Sequence, residues 1–470
     1  MIKMKVPIML DSYYLKSFDK SATSNNSLSQ QVYDYILQGI LNNEIQLGAK
    51  IPSSRNLAVL FGVSRNTILS ALEILISEGL ATTSIGSGTY ITNELTQIQN
   101  DNTLSPSIIE TGNNLFRTRS HTGHFALGLP DIQYFPQAKW AKAMKSGITS
   151  ALYYSNKSGH LEFKKQVVDY VKHFRGISCT VENIVPLSSA QAGFDLALKT
   201  LLKDKSTVLL EDPCYRAIAT AIEYNKHSCV FTHAENNTYS NAPMANMAYL
   251  APSHQAPLGH TTSTKKKLSA IQWAKKNKAW ILEDDIDSEF PSTQILPPTL
   301  YSMSPENIVY IGSFSKVLSP SVKVAFLIAP ASIAKNLNQI SGITGQEPSV
   351  FMQSAIAETL KDKSLAMHIR KMKNIYSERR LQIKQSIKQH MPFAHIDENN
   401  HSGLQIVIHL PETITDYVLI DTLRKKGFSC KALSEYCYKR TMNGLHLGFG
   451  NTDVKNIDNL IEKISKSCII

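Results

Sequence analysis

The stretch NIVYIGSFSK, Asn307 to Lys316, decides the fold. The run Asn307-Ile308-Val309-Tyr310-Ile311 is short and apolar without alternation, which reads as a strand buried on both faces in a parallel sheet. Gly312-Ser313-Phe314-Ser315 then breaks the run, so Lys316 projects from the C-terminal end of a strand, where ligands of open α/β sheets collect. Runs of the same kind stand at TVLL (207–210), MAYLAP (247–252), AWILEDD (279–285) and VKVAFLIAP (322–330), with helical stretches between them. Strands alternating with helices predict a large α/β domain with a largely parallel sheet over residues 123–470.

Upstream the pattern changes. Residues 93–122 are rich in Asn, Thr and Ser with weak periodicity and read as a linker. In residues 29–42, Val32, Tyr35, Ile36, Leu37, Ile40 and Leu41 follow a helical period. A second helix is expected from about Ser53 to Phe61, ending at Gly62. A third, capped by Ser64, runs to about Glu78, with Ile68, Leu69, Leu72, Leu75 and Ile76 as its apolar stripe. Two helices joined across Phe61-Gly62-Val63-Ser64 make a helix-turn-helix. Ser64, Arg65, Asn66 and Thr67 then open the helix whose first turn can reach bases or phosphates. β-prone residues flank Gly86-Ser87-Gly88 between Ala81 and Thr92, which predicts a hairpin whose tip approaches a DNA backbone. The competing reading is a small helical dimerisation domain with solvated helix ends.

The 470 residues carry 49 Lys and Arg against 38 Asp and Glu, a formal net charge of +11. That balance suits an anionic partner without naming it. Residues 1–92 hold only +1 of it, so Arg55 and Arg65 would act by position rather than by bulk charge. No apolar run approaches the roughly 18 residues of a membrane span, and MIKMKVPIML lacks the long apolar core of a signal peptide. The six cysteines are scattered, without a C-x-x-C pair, which argues against a zinc knuckle or a disulfide framework and fits a cytoplasmic protein with no metal.

The large domain holds the elements that pyridoxal 5′-phosphate chemistry requires. These are an amine to form a Schiff base, a carboxylate for the pyridinium nitrogen, and donors around the phosphate at a helix start. Lys316 can supply the first. Asp284, in Glu283-Asp284-Asp285 at a strand end, can supply the second. Ser188-Ser189-Ala190-Gln191 precedes the helical run AGFDLALKTLL and can supply the third, and Tyr215 could stack on a ring. Singly each has a plain structural reading: a surface lysine, a solvated acidic loop, a helix cap, a packed tyrosine. Their joint order gives them weight.

That order resembles a known family. LNNEIQLGAKIPSSRNLAVLFGVSRNTILSALEILISEGLATTSIGSGTYI is similar to the winged helix-turn-helix of the GntR family. Downstream, FALGLPDIQYFPQAKW (125–140), LSSAQAGFDLAL (187–198), EDPCYR (211–216), APSHQAPLGH (251–260), EDDIDSEF (283–290), GSFSKVLSPSVKVAF (312–326) and LHLGFG (445–450) resemble the fold-type-I aminotransferase domain of MocR/GabR-type regulators. The resemblance implies a small α+β winged helix-turn-helix at 27–92, a linker at 93–122, and an α/β aminotransferase-like domain at 123–470. It implies that a homodimer, joined through that domain, binds a double-stranded DNA operator. Ser53, Ser54 and Arg55 would start the second helix, Ser64, Arg65, Asn66 and Thr67 would face the major groove, and Gly86, Gly88 and Thr89 would form the wing. It implies pyridoxal 5′-phosphate on Lys316, with Asp284 at the ring nitrogen, Tyr215 on the ring, and Ser189, Ala190, Gln191, Ser313 and Lys323 around the phosphate. Arg216 and His446 are the candidates for contacting a small amine or amino-acid effector.

The chain departs from the family pattern at four places. Ile286 replaces a tyrosine that donates to the cofactor, Lys323 replaces an arginine on the phosphate, and Ser189 replaces a glycine. His446 replaces the arginine that holds a substrate carboxylate. These favour a sensor over an enzyme. The alternative left open is an active aminotransferase with an accessory DNA-binding module.

Overall fold

The computed structural model describes residues 18, 26–84, 86–93, 123–151, 159–291, 297–397 and 403–468. The expected linker lies outside the described residues apart from Asn93, as does the N-terminal MIKMKVPIML. The chain divides into two compact units, residues 1–117 and 118–470.

In the first unit the three expected helices are present as α1 (Leu28–Leu41), α2 (Ser54–Phe61) and α3 (Arg65–Ser77). Each begins at a serine whose hydroxyl accepts a backbone N–H of the first turn: Ser27 from Gln30, Ser53 from Asn56, Ser64 from Thr67. Gly62 closes α2 in left-handed backbone at φ 59°, which only glycine adopts without strain. Val32, Ile36, Leu57, Phe61, Ile68, Leu72 and Leu75 form the core. Strands β1 (Ala81–Ser84) and β2 (Gly88–Ile91) pair antiparallel, with Ser84 opposite Gly88.

The second unit is built on a seven-stranded sheet in the order β3-β9-β8-β7-β6-β4-β5. Its strands are β3 (Ile184–Leu187), β4 (Thr207–Asp212), β5 (Ser228–His233), β6 (Met247–Leu250), β7 (Trp280–Asp284), β8 (Ile308–Ser313) and β9 (Ala325–Ile328). Strands β5, β4, β6, β7 and β8 run parallel. The run VKVAFLIAP supplies β9, which lies antiparallel to both its neighbours. Helix α4 (Ala190–Leu201) follows β3, α5 (Arg216–Tyr224) follows β4, and α6 (Thr264–Asn277) precedes β7. The long helix α7 (Ser364–His390) leads to a second, three-stranded sheet in the order β10 (Gln405–His409), β12 (Gly444–Gly448), β11 (Lys431–Ala432).

Residues 123–125 are stitched to this small sheet. The N–H of His124 donates to Gly427, that of Ser429 to His124, and that of Gly448 to Phe125, at 2.9, 2.8 and 3.0 Å. Gly448 and Gly450 are required there, because a Cβ on either would collide with the carbonyls of Ala126 and Leu129. Among the described residues no single helix is long and apolar enough to cross a membrane.

Candidate functional site

The parallel topology sets Asp212, Asp284 and Ser313 at the C-terminal ends of neighbouring strands, and the loops after them carry the chemistry. Asp284 is buried. Its carboxylate accepts the hydroxyl of Tyr249 from the adjacent strand β6 and, at 3.0 Å, the N–H of Ile286. Burial pushes its pKa up to about 6 against those two donors, and Lys316 lies close enough to lower it slightly. Ile286 therefore contributes to Asp284 through its backbone, while its side chain packs half-buried against the core.

Lys316 is half-buried, and its ammonium donates to the carbonyl of Gly128 at 2.8 Å. Gly128 has φ +75°, and a Cβ there would strike the lysine nitrogen. Tyr215 caps the start of α5 and shares a small cleft with Tyr249, Ala251 and Gln255. Gln191, exposed in the first turn of α4, reaches the Tyr215 hydroxyl at 3.5 Å. Ser189 caps α4 by accepting the Ala192 N–H at 3.1 Å, and the Ser313 hydroxyl lies 3.1 Å from that of Ser315. Lys316, Asp284, Tyr215, Ser189, Ala190, Gln191 and Ser313 thus all follow the C-terminal ends of strands or open the helix after them. Lys323 is exposed in left-handed backbone at φ 53°. Arg216 is exposed and donates to the Glu435 carbonyl at 3.0 Å, one residue before the Tyr436 whose hydroxyl meets His446.

His446, at the centre of β12, is 3 % exposed. Its Nδ1 lies 3.0 Å from the Tyr436 hydroxyl, and its Nε2 is buried with no hydrogen-bond partner among the described residues. Burial, with His254, Lys431 and Lys316 nearby, pulls its pKa down to about 3, so it is neutral. Beneath the site the pair Arg175–Asp285 is buried, and Asp285 also accepts the Tyr310 hydroxyl at 2.7 Å.

Gly128, Tyr249, His254 and Tyr436 escape sequence reasoning. Only the run MAYLAPSHQ around Tyr249 and His254 carries a signal, as an apolar strand ending in polar residues.

In the first unit, Arg55, Arg65 and Asn66 are exposed, and the Arg65 guanidinium donates to Ser54 at 3.2 Å, tying α3 to the start of α2. The wing is exposed at Gly86, Ser87 and Gly88, with Thr89 half-buried behind them. Lys50, unremarked in the sequence, bridges Tyr90 on β2 and sets its ammonium 5.8 Å from that ring's centre. Its aliphatic stem lies against Gly88, whose φ of +120° is a conformation that L side chains rarely adopt.

Residues 126–464 match the family described as aminotransferase class I and II. The chain belongs to that family. In front of its aminotransferase-like unit, residues 28–91 match the bacterial regulatory proteins of the gntR family, so the first unit is a DNA-binding helix-turn-helix. The chain is 26% identical over 451 residues to the probable rhizopine catabolism regulatory protein MocR of Rhizobium meliloti, covering 92% of this chain and 91% of that one. It is 27% identical over 442 residues to the HTH-type pyridoxine biosynthesis transcriptional regulator PdxR of Corynebacterium glutamicum, covering 93% and 94%. It therefore has the build of a MocR-type, DNA-binding transcriptional regulator. The aminotransferase-like fold is shared with LysN, an α-aminoadipate aminotransferase of Thermus thermophilus, at a TM-score of 0.68 and 21% identity over 74% of this chain and 92% of that one. A multiple substrate aminotransferase of Thermococcus profundus gives 0.70 and 18% over 79% and 98%. Fold-type-I aminotransferases depend on pyridoxal phosphate as a class.

Proposed function

We propose that this regulator is a cytoplasmic homodimer, joined through its aminotransferase-like unit, that binds pyridoxal 5′-phosphate at Lys316. Residues 27–92 read an operator, 93–122 link, and 123–470 sense the cofactor or an amine or amino acid that reaches it. The observation that carries this reading is the Lys316 ammonium on the Gly128 carbonyl, beside the buried, doubly bonded carboxylate of Asp284.

The residues present fit the cofactor. The left-handed Gly128 leaves the space that the lysine nitrogen occupies. Asp284 is a buried carboxylate whose charge a cationic ring nitrogen would compensate. Tyr215 would flank the ring. Ser189, the N–H groups of Ala190 and Gln191 at the start of α4, Ser313 and Lys323 would hold the phosphate. When bound, the cofactor supplies an electrophilic carbon and an electron-withdrawing ring. Lys316 would tether the group, and Asp284 would hold the ring's positive charge. Ligand arrival changes operator binding only through its different affinity for the two states of the protein.

The reading is tested by titrating pure protein with pyridoxal phosphate. A visible absorption band is expected in the wild type and absent in Lys316→Ala; an unchanged spectrum in the variant removes Lys316 from its role.

A further inference from the structure

His446 and Val407 face each other across the β10–β12 ladder, so their side chains share one face of the small sheet. Val407 packs there with Leu258 and Ala234 of the seven-stranded half. Gly448, two residues on and on that same face, abuts the Ala126 and Leu127 backbone just before Gly128, which holds Lys316. His446 therefore looks across at the lysine, and its electrostatic contacts with His254 and Lys316 agree.

What His446 offers a ligand is narrow. One ring nitrogen is engaged with Tyr436; the other is buried and has no partner among the described residues. A buried polar atom of this kind is costly unless something bonds to it. The cations whose charge reaches it, Lys431 and Lys316, have other partners. Lys431, opposite His446 in the β11–β12 pair, lies 3.7 Å from Glu435. The buried arginines of this unit are committed elsewhere: Arg175 to Asp285, Arg379 to Asp131, Arg380 to the Gly403 carbonyl and the face of Phe449. A carboxylate buried against His446 would meet a neutral ring able to make one hydrogen bond, with each buried guanidinium already engaged elsewhere.

We infer that the effector is a primary amine whose second polar group is a neutral hydrogen-bonding one, a hydroxyl or an amide, rather than an α-carboxylate, and that His446 Nε2 is the atom that selects it. The amine half rests on the cofactor reading above; the neutral half rests on His446.

The test uses full-length protein loaded with pyridoxal phosphate. Leucinol, leucinamide and L-leucine are titrated separately, each followed by the visible spectrum and by the shift in thermal unfolding. Leucinol or leucinamide should bind at least about tenfold more tightly than L-leucine, one hydrogen bond's worth or more. His446→Gln, which keeps one neutral donor and acceptor, should preserve the order. His446→Arg should reverse it. Equal or tighter binding of L-leucine by the wild type overturns the inference, as does an order untouched by His446→Arg. A visible band with no response to any of the three also overturns it and leaves the cofactor reading standing. Absence of the band altogether removes the cofactor reading, and the amine half with it.

Discussion

The ammonium of Lys316 donates to the carbonyl of Gly128, 2.8 Å away and 188 residues earlier in the chain. The bond requires the left-handed backbone of Gly128, because any Cβ there would occupy the place of the lysine nitrogen. Gly128→Ala should cost at least about 1 kcal/mol of stability, the penalty for alanine at positive φ. It should also remove the visible band of the loaded protein by displacing Lys316. Urea unfolding and cofactor titration measure the two effects separately. A stable variant with an unaltered spectrum would show that the contact does not position the lysine.

Tyr249 holds the charged form of Asp284. Tyr249→Phe removes that donor, so the Asp284 pKa should rise above about 6, and at pH 7 less of the carboxylate would be ionised. Cofactor affinity at pH 7 should fall about tenfold, the worth of one hydrogen bond to a charged group. At pH 8.5 the loss should shrink. A pH-independent loss would mean that Tyr249 acts by packing instead.

Asp284 also makes stability depend on pH. Its folded pKa of about 6 exceeds the ordinary 3.8, so the folded, cofactor-free protein binds the extra proton between these values. This group's favourable contribution is complete below pH 4 and lost as pH rises through 6, a change of about 3 kcal/mol. Asp284→Asn should therefore gain stability over the wild type at pH 7.5 and show little gain at pH 4.5, measured without cofactor by denaturant melts. Loading the wild type should narrow the gap, because the ring nitrogen compensates the ionised carboxylate.

On the DNA side, Arg65 and Lys50 should behave differently. Arg65 opens α3, bonded to Ser54, where side chains reach bases. Lys50 lies along the wing beside Tyr90, where phosphates run. With an operator recovered by selection from random duplexes, Arg65→Ala should weaken binding roughly 5- to 100-fold and relax preference at particular positions. Lys50→Ala should weaken all sequences alike and lower the salt-dependence slope by about 1. Anisotropy titrations at several salt concentrations distinguish the two.

The reader was largely legible because its signals are local. Serine caps, Gly62 and a 3.6-residue period all act within a few residues, and α2, α3 and the wing lie where those signals put them. The strand-end positions of Asp284 and Lys316 were legible because Asp284 closes, and Lys316 soon follows, a strand that opens on an apolar run. Tyr249 was not, since its role depends on β6 lying beside β7, a pairing that strand order decides and sequence distance conceals. Strand β5 was missed because it is an edge strand of mixed polarity, and β11 because two residues carry no period. His446 could be seen to depart from the family, but its neutrality follows from burial among His254, Lys431 and Lys316, which only the fold assembles.

The stitching of residues 123–125 to Gly427, Ser429 and Gly448 has a mechanical meaning. The chain that joins the two units enters the second one at the edge of the small sheet, against the strand that carries His446. A ligand that tilted this sheet would carry residues 123–125 with it.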